Sequence, residues 1–144
     1  MIKYISKFAL LILVLSIIYL LISGNMLSES PFIIIGQLLS VGFSIWARRS
    51  FQKEQFSIDA EPSNGPLLTT GPYKFVRHPM YTSALFLIWI SIIGHLSIST
   101  VAIGVAVSTV ILIRIITEEQ LLRERFLNYN LYALKTKTII PFLY

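Results

Sequence analysis

Between Phe8 and Ser28 the chain carries no charged residue. A run of that length supplies the ~20 apolar residues needed to cross a hydrocarbon core, and it restricts the fold more than any other feature. Composition points the same way: 55% of the 144 residues are hydrophobic and 13% charged, too apolar a balance for a soluble domain of this size. Lys3 and Lys7 ahead of the run also fit the start of a cleaved signal peptide. The run is longer than a usual signal core, however, and Ile22-Ser23-Gly24 followed by Asn25-Met26 is a poor cleavage site. A retained first span over roughly 6–28 is expected.

Ser30-Pro31 reads as an N-cap followed by proline at the first helical position, opening a second span over 31–48 that ends at Arg48-Arg49. From Pro79 to Ile113 there is again no formal charge. One helix of that length would be roughly 50 Å long, more than a bilayer holds. Gly94-His95-Leu96-Ser97-Ile98-Ser99 is the evident turn, so the expectation is a tight hairpin of spans 79–94 and 99–117. Each arm is slightly short for a standard crossing. The predicted fold is an all-α polytopic membrane bundle of four transmembrane helices and a C-terminal amphipathic helix, as one domain over 1–144.

Lysine and arginine then set the orientation. Lys3 and Lys7 precede the first span, Arg48, Arg49, Lys53, Lys74 and Arg77 separate the second from the third, and Arg114, Arg123, Arg125, Lys135 and Lys137 follow the hairpin. With four crossings all of these share one side, which the positive-inside rule makes cytosolic, with both termini there. In a bacterium the membrane would be the cell membrane. The net charge of +5 fits anionic lipid headgroups as partners, and nucleic acid is not expected. Cysteine is absent, and the histidines at 78 and 95 flank an apolar run from opposite sides, so no metal is expected. Gln52 to Thr70, with Asp59, Glu61, Pro62, Ser63, Asn64 and Gly65, reads as a polar loop.

Polar, aromatic and turn residues concentrate from Leu67 to Tyr81, at the mouth of the third span. Pro79 suits the first turn of that helix and biases His78 toward an extended backbone, beside a helix N-terminus that favours a carboxylate or phosphate. An interfacial belt accounts for the same residues: Tyr73 and Tyr81 at headgroup depth, Lys74 and Arg77 on phosphates, His78 as a cap. Arg114 and Glu118 share a helix face at i,i+4, with Glu119 next. A surface ion pair or a snorkelling arginine would look alike. The hairpin nevertheless brings this pair to the depth of Arg77 to Tyr81, and convergent ionisable groups at a membrane mark a candidate site. Beyond Glu119, the spacing of Leu121, Leu122, Phe126, Tyr129 and Tyr132 predicts an interfacial amphipathic helix.

These residues resemble the isoprenylcysteine carboxyl methyltransferase family, relatives of the small phospholipid N-methyltransferases. The match consists of Gly71-Pro72-Tyr73, Arg77-His78-Pro79-Met80-Tyr81, Arg114 with Glu118-Glu119, and Phe126, Tyr129, Tyr132 and Pro141, all within 65–144. The resemblance implies S-adenosylmethionine as methyl donor, contacted by Leu67, Leu68, Tyr73, His78, Pro79, Met80, Tyr81 and Glu118. Arg114 would face a lipophilic acceptor entering from the bilayer. A carboxylate acceptor needs no base, whereas a phenol or amine would call on Glu119 or His78. Leu127 stands where relatives carry glycine, one residue is missing before Tyr129, and Lys137-Thr138 replaces a common arginine, which leaves the acceptor open. Steroid-reductase-type enzymes share an Arg-His-Pro-x-Tyr segment and use NADPH, but many have asparagine in place of Met80. A non-catalytic scaffold would require both polar blocks to be accidental, and a proton-coupled transporter lacks an acidic residue within any span.

Overall fold

A helix, Ile2–Ile22, occupies the first apolar run (α1). The computed structural model describes the backbone of residues 2–50 and 66–139, and side chains from Phe8 onward. Most of the expected Gln52–Thr70 loop, and Pro141, lie outside these residues. α1 stops well before Ser28, because Gly24 takes a φ of +72° and turns the chain. Pro31–Arg49 forms α2, with Pro31 in the first turn and Ser30 at the cap position. The Ser30 side chain makes no capping bond. Its backbone N–H instead donates to Ser28 Oγ at 3.2 Å.

Pro79–Gly94 forms α3 and Ile98–Arg125 forms α4, with the turn between them where Gly94 and Ser97 stand. Ser97 and Thr100 close a reciprocal capping box at the start of α4. The Thr100 hydroxyl also donates to the His95 carbonyl at 2.9 Å. Gly104 permits the close approach of the two arms, since a Cβ there would sit 2.6 Å from Ile92 Cδ1. Trp89 Nε1 donates to Ser108 Oγ at 3.0 Å across the same crossing.

In the bundle α2 packs chiefly on α3 and α1 on α4, while α3 and α4 meet between them. Leu20, Ile88 and Ile92 are fully buried, and Val107, Ile111 and Ile115 continue the core toward the motif end. α2 and α4 are long and apolar enough to cross a membrane, yet only 22% and 33% of their most apolar windows are buried within the protein. Residues such as Phe32, Leu38, Leu39 and Ile98 point outward. An apolar surface this extensive needs lipid to cover it. This is therefore a membrane protein, with α3 and the Phe8–Ile22 part of α1 as shorter apolar helices.

The 16 residues of α3 span about 24 Å, whereas the 28 of α4 span about 42 Å. Counted from the shared turn, α4 reaches the level of Pro79 near Arg114 and continues beyond it. This corrects the expected C-terminal region. The amphipathic spacing after Glu119 belongs first to the end of α4, which runs to Arg125, and then to a separate short helix, Tyr129–Lys135 (α5). Phe126 is extended, with φ −111° and ψ 108°, and breaks the helix between them. The apolar spacing runs through the break because Tyr129 turns back into the protein, where it is almost fully buried.

Candidate active site

Gly71 begins the site. Its φ of +60° lies in the left-handed region, and a Cβ there would collide with Ser50 Oγ. Glycine thus lets the single 3-10 turn Gly71–Lys74 settle against the last turn of α2. That turn buries Tyr73, whose carbonyl accepts the Tyr132 hydroxyl at 2.7 Å. Burial, followed by the nearby Glu118 charge, raises the Tyr73 pKa, so its phenol stays protonated.

His78 occupies the cap position of α3 with Pro79 directly after it, yet its side chain caps nothing. The ring turns toward α4 instead, and the side chain is 5% exposed. It stacks on Tyr81, with centroids 5.6 Å apart and planes 21° from parallel. Its Nδ1 lies 3.8 Å from Glu118 Oε2 and its Nε2 lies 3.4 Å from Glu119 Oε1. Neither approach is a hydrogen bond by distance and angle, and His78 Nε2 and Glu118 Oε2 are both buried with no hydrogen-bond partner among the described residues.

Arg114, almost fully buried on α4, donates from Nε to the Tyr81 hydroxyl at 2.5 Å, and its guanidinium lies 5.5 Å from the centre of that ring. The Tyr81 hydroxyl also feels the Glu118 charge. The two α4 groups expected to share a face thus converge on one α3 phenol. Pro79 is buried and Met80 half-buried in the first turn of α3. Leu67 and Leu68 are half-buried. Leu67 lines an open, mainly apolar cavity of about 350 Å³ with Pro66, Arg125, Phe126, Leu127 and Asn128, two turns along α4 from Glu118.

Glu119 is held differently. Its Oε1 accepts Arg77 Nε at 2.7 Å and its Oε2 accepts Arg123 Nη2 at 3.3 Å. Burial alone would raise its pKa, but His78 and Arg77 outweigh that and bring it down to about 2. A carboxylate held so firmly ionised is a strong anchor and a weak proton acceptor near neutrality. In the sequence Arg77 belongs to the matched motif and reads as a headgroup contact, not as a donor-binding or catalytic residue. In the structure it is 10% exposed and bonded inside the protein. Tyr129 is a further buried group, its hydroxyl unpartnered and its ring under the Arg123 guanidinium at 5.6 Å.

The sequence profile of the phospholipid methyltransferase family matches residues 30–128, which takes in α2, the 3-10 turn, α3 and α4. The chain belongs to that family. The family includes the isoprenylcysteine carboxyl methyltransferases that the motifs resemble. Membership makes this a membrane methyltransferase with S-adenosylmethionine as its donor, and sets methyl transfer ahead of NADPH chemistry. None of the curated proteins compared with the chain matches it.

Proposed function

We propose that this methyltransferase modifies a small lipophilic acceptor, entering from the bilayer, in a pocket at the cytosolic ends of α3 and α4. One observation carries the proposal: His78 at the cap of α3 and Tyr81 within it meet Arg114 and Glu118 on α4 around buried atoms that make no hydrogen bond among the described residues. Such buried polar atoms are costly unless something pairs with them. The residues fit the donor. Glu118 Oε2, buried without a hydrogen bond and 3.8 Å from His78 Nδ1, suits an ammonium group, and the faces of Tyr73 and Tyr81 suit a sulfonium. Leu67, Leu68, Pro79 and Met80 provide apolar surface nearby.

When bound, the donor supplies an activated methyl group on a sulfonium. The protein's share of the work is then orientation and exclusion of water, and positioning of this kind is worth about 7–11 kcal/mol. Arg114, oriented by Tyr81, would hold an anionic acceptor. An acceptor that must lose a proton would give it to His78, since Glu119 is committed to Arg77 and Arg123. The family description names phospholipid, so a phospholipid amine is the first acceptor class to test. The distribution of lysine and arginine supports four crossings with both termini cytosolic.

Reconstituted protein, given methyl-labelled donor and total lipid from its native membrane, should label one organic-extractable species. Arg114→Ala should abolish that labelling. Folded wild-type protein that binds donor yet labels no lipid would overturn the proposed acceptor class.

A further inference from the structure

Arg77 uses all three of its side-chain nitrogens within the protein. Nε donates to Glu119 Oε1 at 2.7 Å. Nη1 donates to the carbonyls of Ala133 and Thr136 at 2.9 and 2.6 Å, and Nη2 to Thr138 Oγ1 at 2.6 Å. Ala133 and Thr136 lie in the last turn and at the C-cap of α5. Helix ends leave carbonyls without intrahelical donors, and a cation is favoured there. A residue at the mouth of α3 therefore caps α5 from outside.

The backbones join along the same line. Arg77 N–H donates to the Lys137 carbonyl at 2.7 Å, His78 N–H to the Thr138 carbonyl at 3.2 Å, and Lys137 N–H to the Phe75 carbonyl at 3.0 Å. The Thr82 hydroxyl reaches the Ile139 carbonyl at 2.7 Å. Residues 136–139 thus run parallel to 75–78, directly beside His78, and the forked guanidinium ties this strap to Glu119 on α4. A lysine could not replace it, because one ammonium cannot occupy these divergent sites together.

We infer that Arg77 is a positioning residue for the methyl donor, acting by locking the 136–139 strap against His78 and Glu119 so that the strap forms a wall of the donor site. The inference rests on the donor-site reading proposed above. A loosened strap frees the His78 backbone and admits water, so donor should bind more weakly and leave faster. The reacting groups themselves remain on α3 and α4.

The test uses full-length protein in nanodiscs, with wild type, Arg77→Lys, Arg77→Ala and Thr138→Val compared. Arg77→Lys should raise the donor Kd and KM about tenfold or more, with kcat at saturating donor within about threefold of wild type. Thr138→Val, which removes only the Nη2 acceptor, should show a smaller shift in the same direction. Hydrogen exchange in 133–139 should quicken in Arg77→Lys, and guanidinium ion, but not urea, should restore donor affinity to Arg77→Ala. Wild type that binds donor while Arg77→Lys keeps its affinity would overturn this inference alone. So would a uniform loss of activity with melting temperature, without a KM shift or rescue, in every Arg77 variant. Folded wild type that binds no donor would overturn the donor-site reading and this inference together.

Discussion

Replacing Tyr81 by phenylalanine removes one oxygen from the centre of the site and leaves the ring in place. That hydroxyl accepts Arg114 Nε at 2.5 Å and feels the Glu118 charge. The stack on His78 and the guanidinium contact survive the change. A hydrogen bond to a charged group contributes about 1.5–3 kcal/mol. Glu118 stands one turn beyond Arg114 on α4, so the guanidinium can shift toward it and recover part of the loss. The expected net cost is about 1.4–2 kcal/mol, a drop of roughly 10- to 30-fold in kcat/KM for the acceptor. Initial rates of label transfer, measured over a grid of donor and acceptor concentrations, read this directly. A melting curve on the same preparation controls for folding. If folded Tyr81→Phe stays within about twofold of wild type, the Tyr81–Arg114 contact does not orient the acceptor and the proposed division of labour is wrong.

Gly71→Ala should destabilise the protein by about 1–2 kcal/mol, since alanine resists the positive φ and its Cβ meets Ser50; a lower melting temperature checks it. Gly104→Leu should cost about 1–3 kcal/mol by overpacking against Ile92 and Trp89. Its melting temperature should fall as well, and an unchanged melt would mean the α3–α4 crossing is looser than described. Glu119 yields a pH dependence. Its folded pKa of about 2 lies below the ordinary 4.5, so its stabilisation is complete above pH 4.5 and is lost as pH falls toward 2. Hydrogen exchange at 133–139 should accelerate over that acid window in wild type, and much less in Glu119→Gln.

Much of the frame was legible because its signals are local. Pro31 and Pro79 open helices where a first-turn proline is tolerated, and Gly94 to Ser99 turns the hairpin. That hairpin puts Arg114 and Glu118 at the depth of Arg77 to Tyr81. What escaped depends on groups every residue possesses. The principal partners of Arg77 include backbone carbonyls more than fifty positions downstream, and carbonyls carry no side-chain signature. The break at Phe126 escaped because Tyr129 resumes the apolar spacing after it. Glu119 read as a candidate base because its two arginine partners, one from the motif before α3 and one a turn along α4, were not placed together.

Calorimetric titration of the detergent-purified protein with S-adenosylmethionine tests the central claim most directly. The account predicts saturable binding by wild type, weakened about tenfold or more by Glu118→Ala as the ammonium loses its carboxylate. Folded wild-type protein without saturable binding, or Glu118→Ala binding as tightly as wild type, would contradict it.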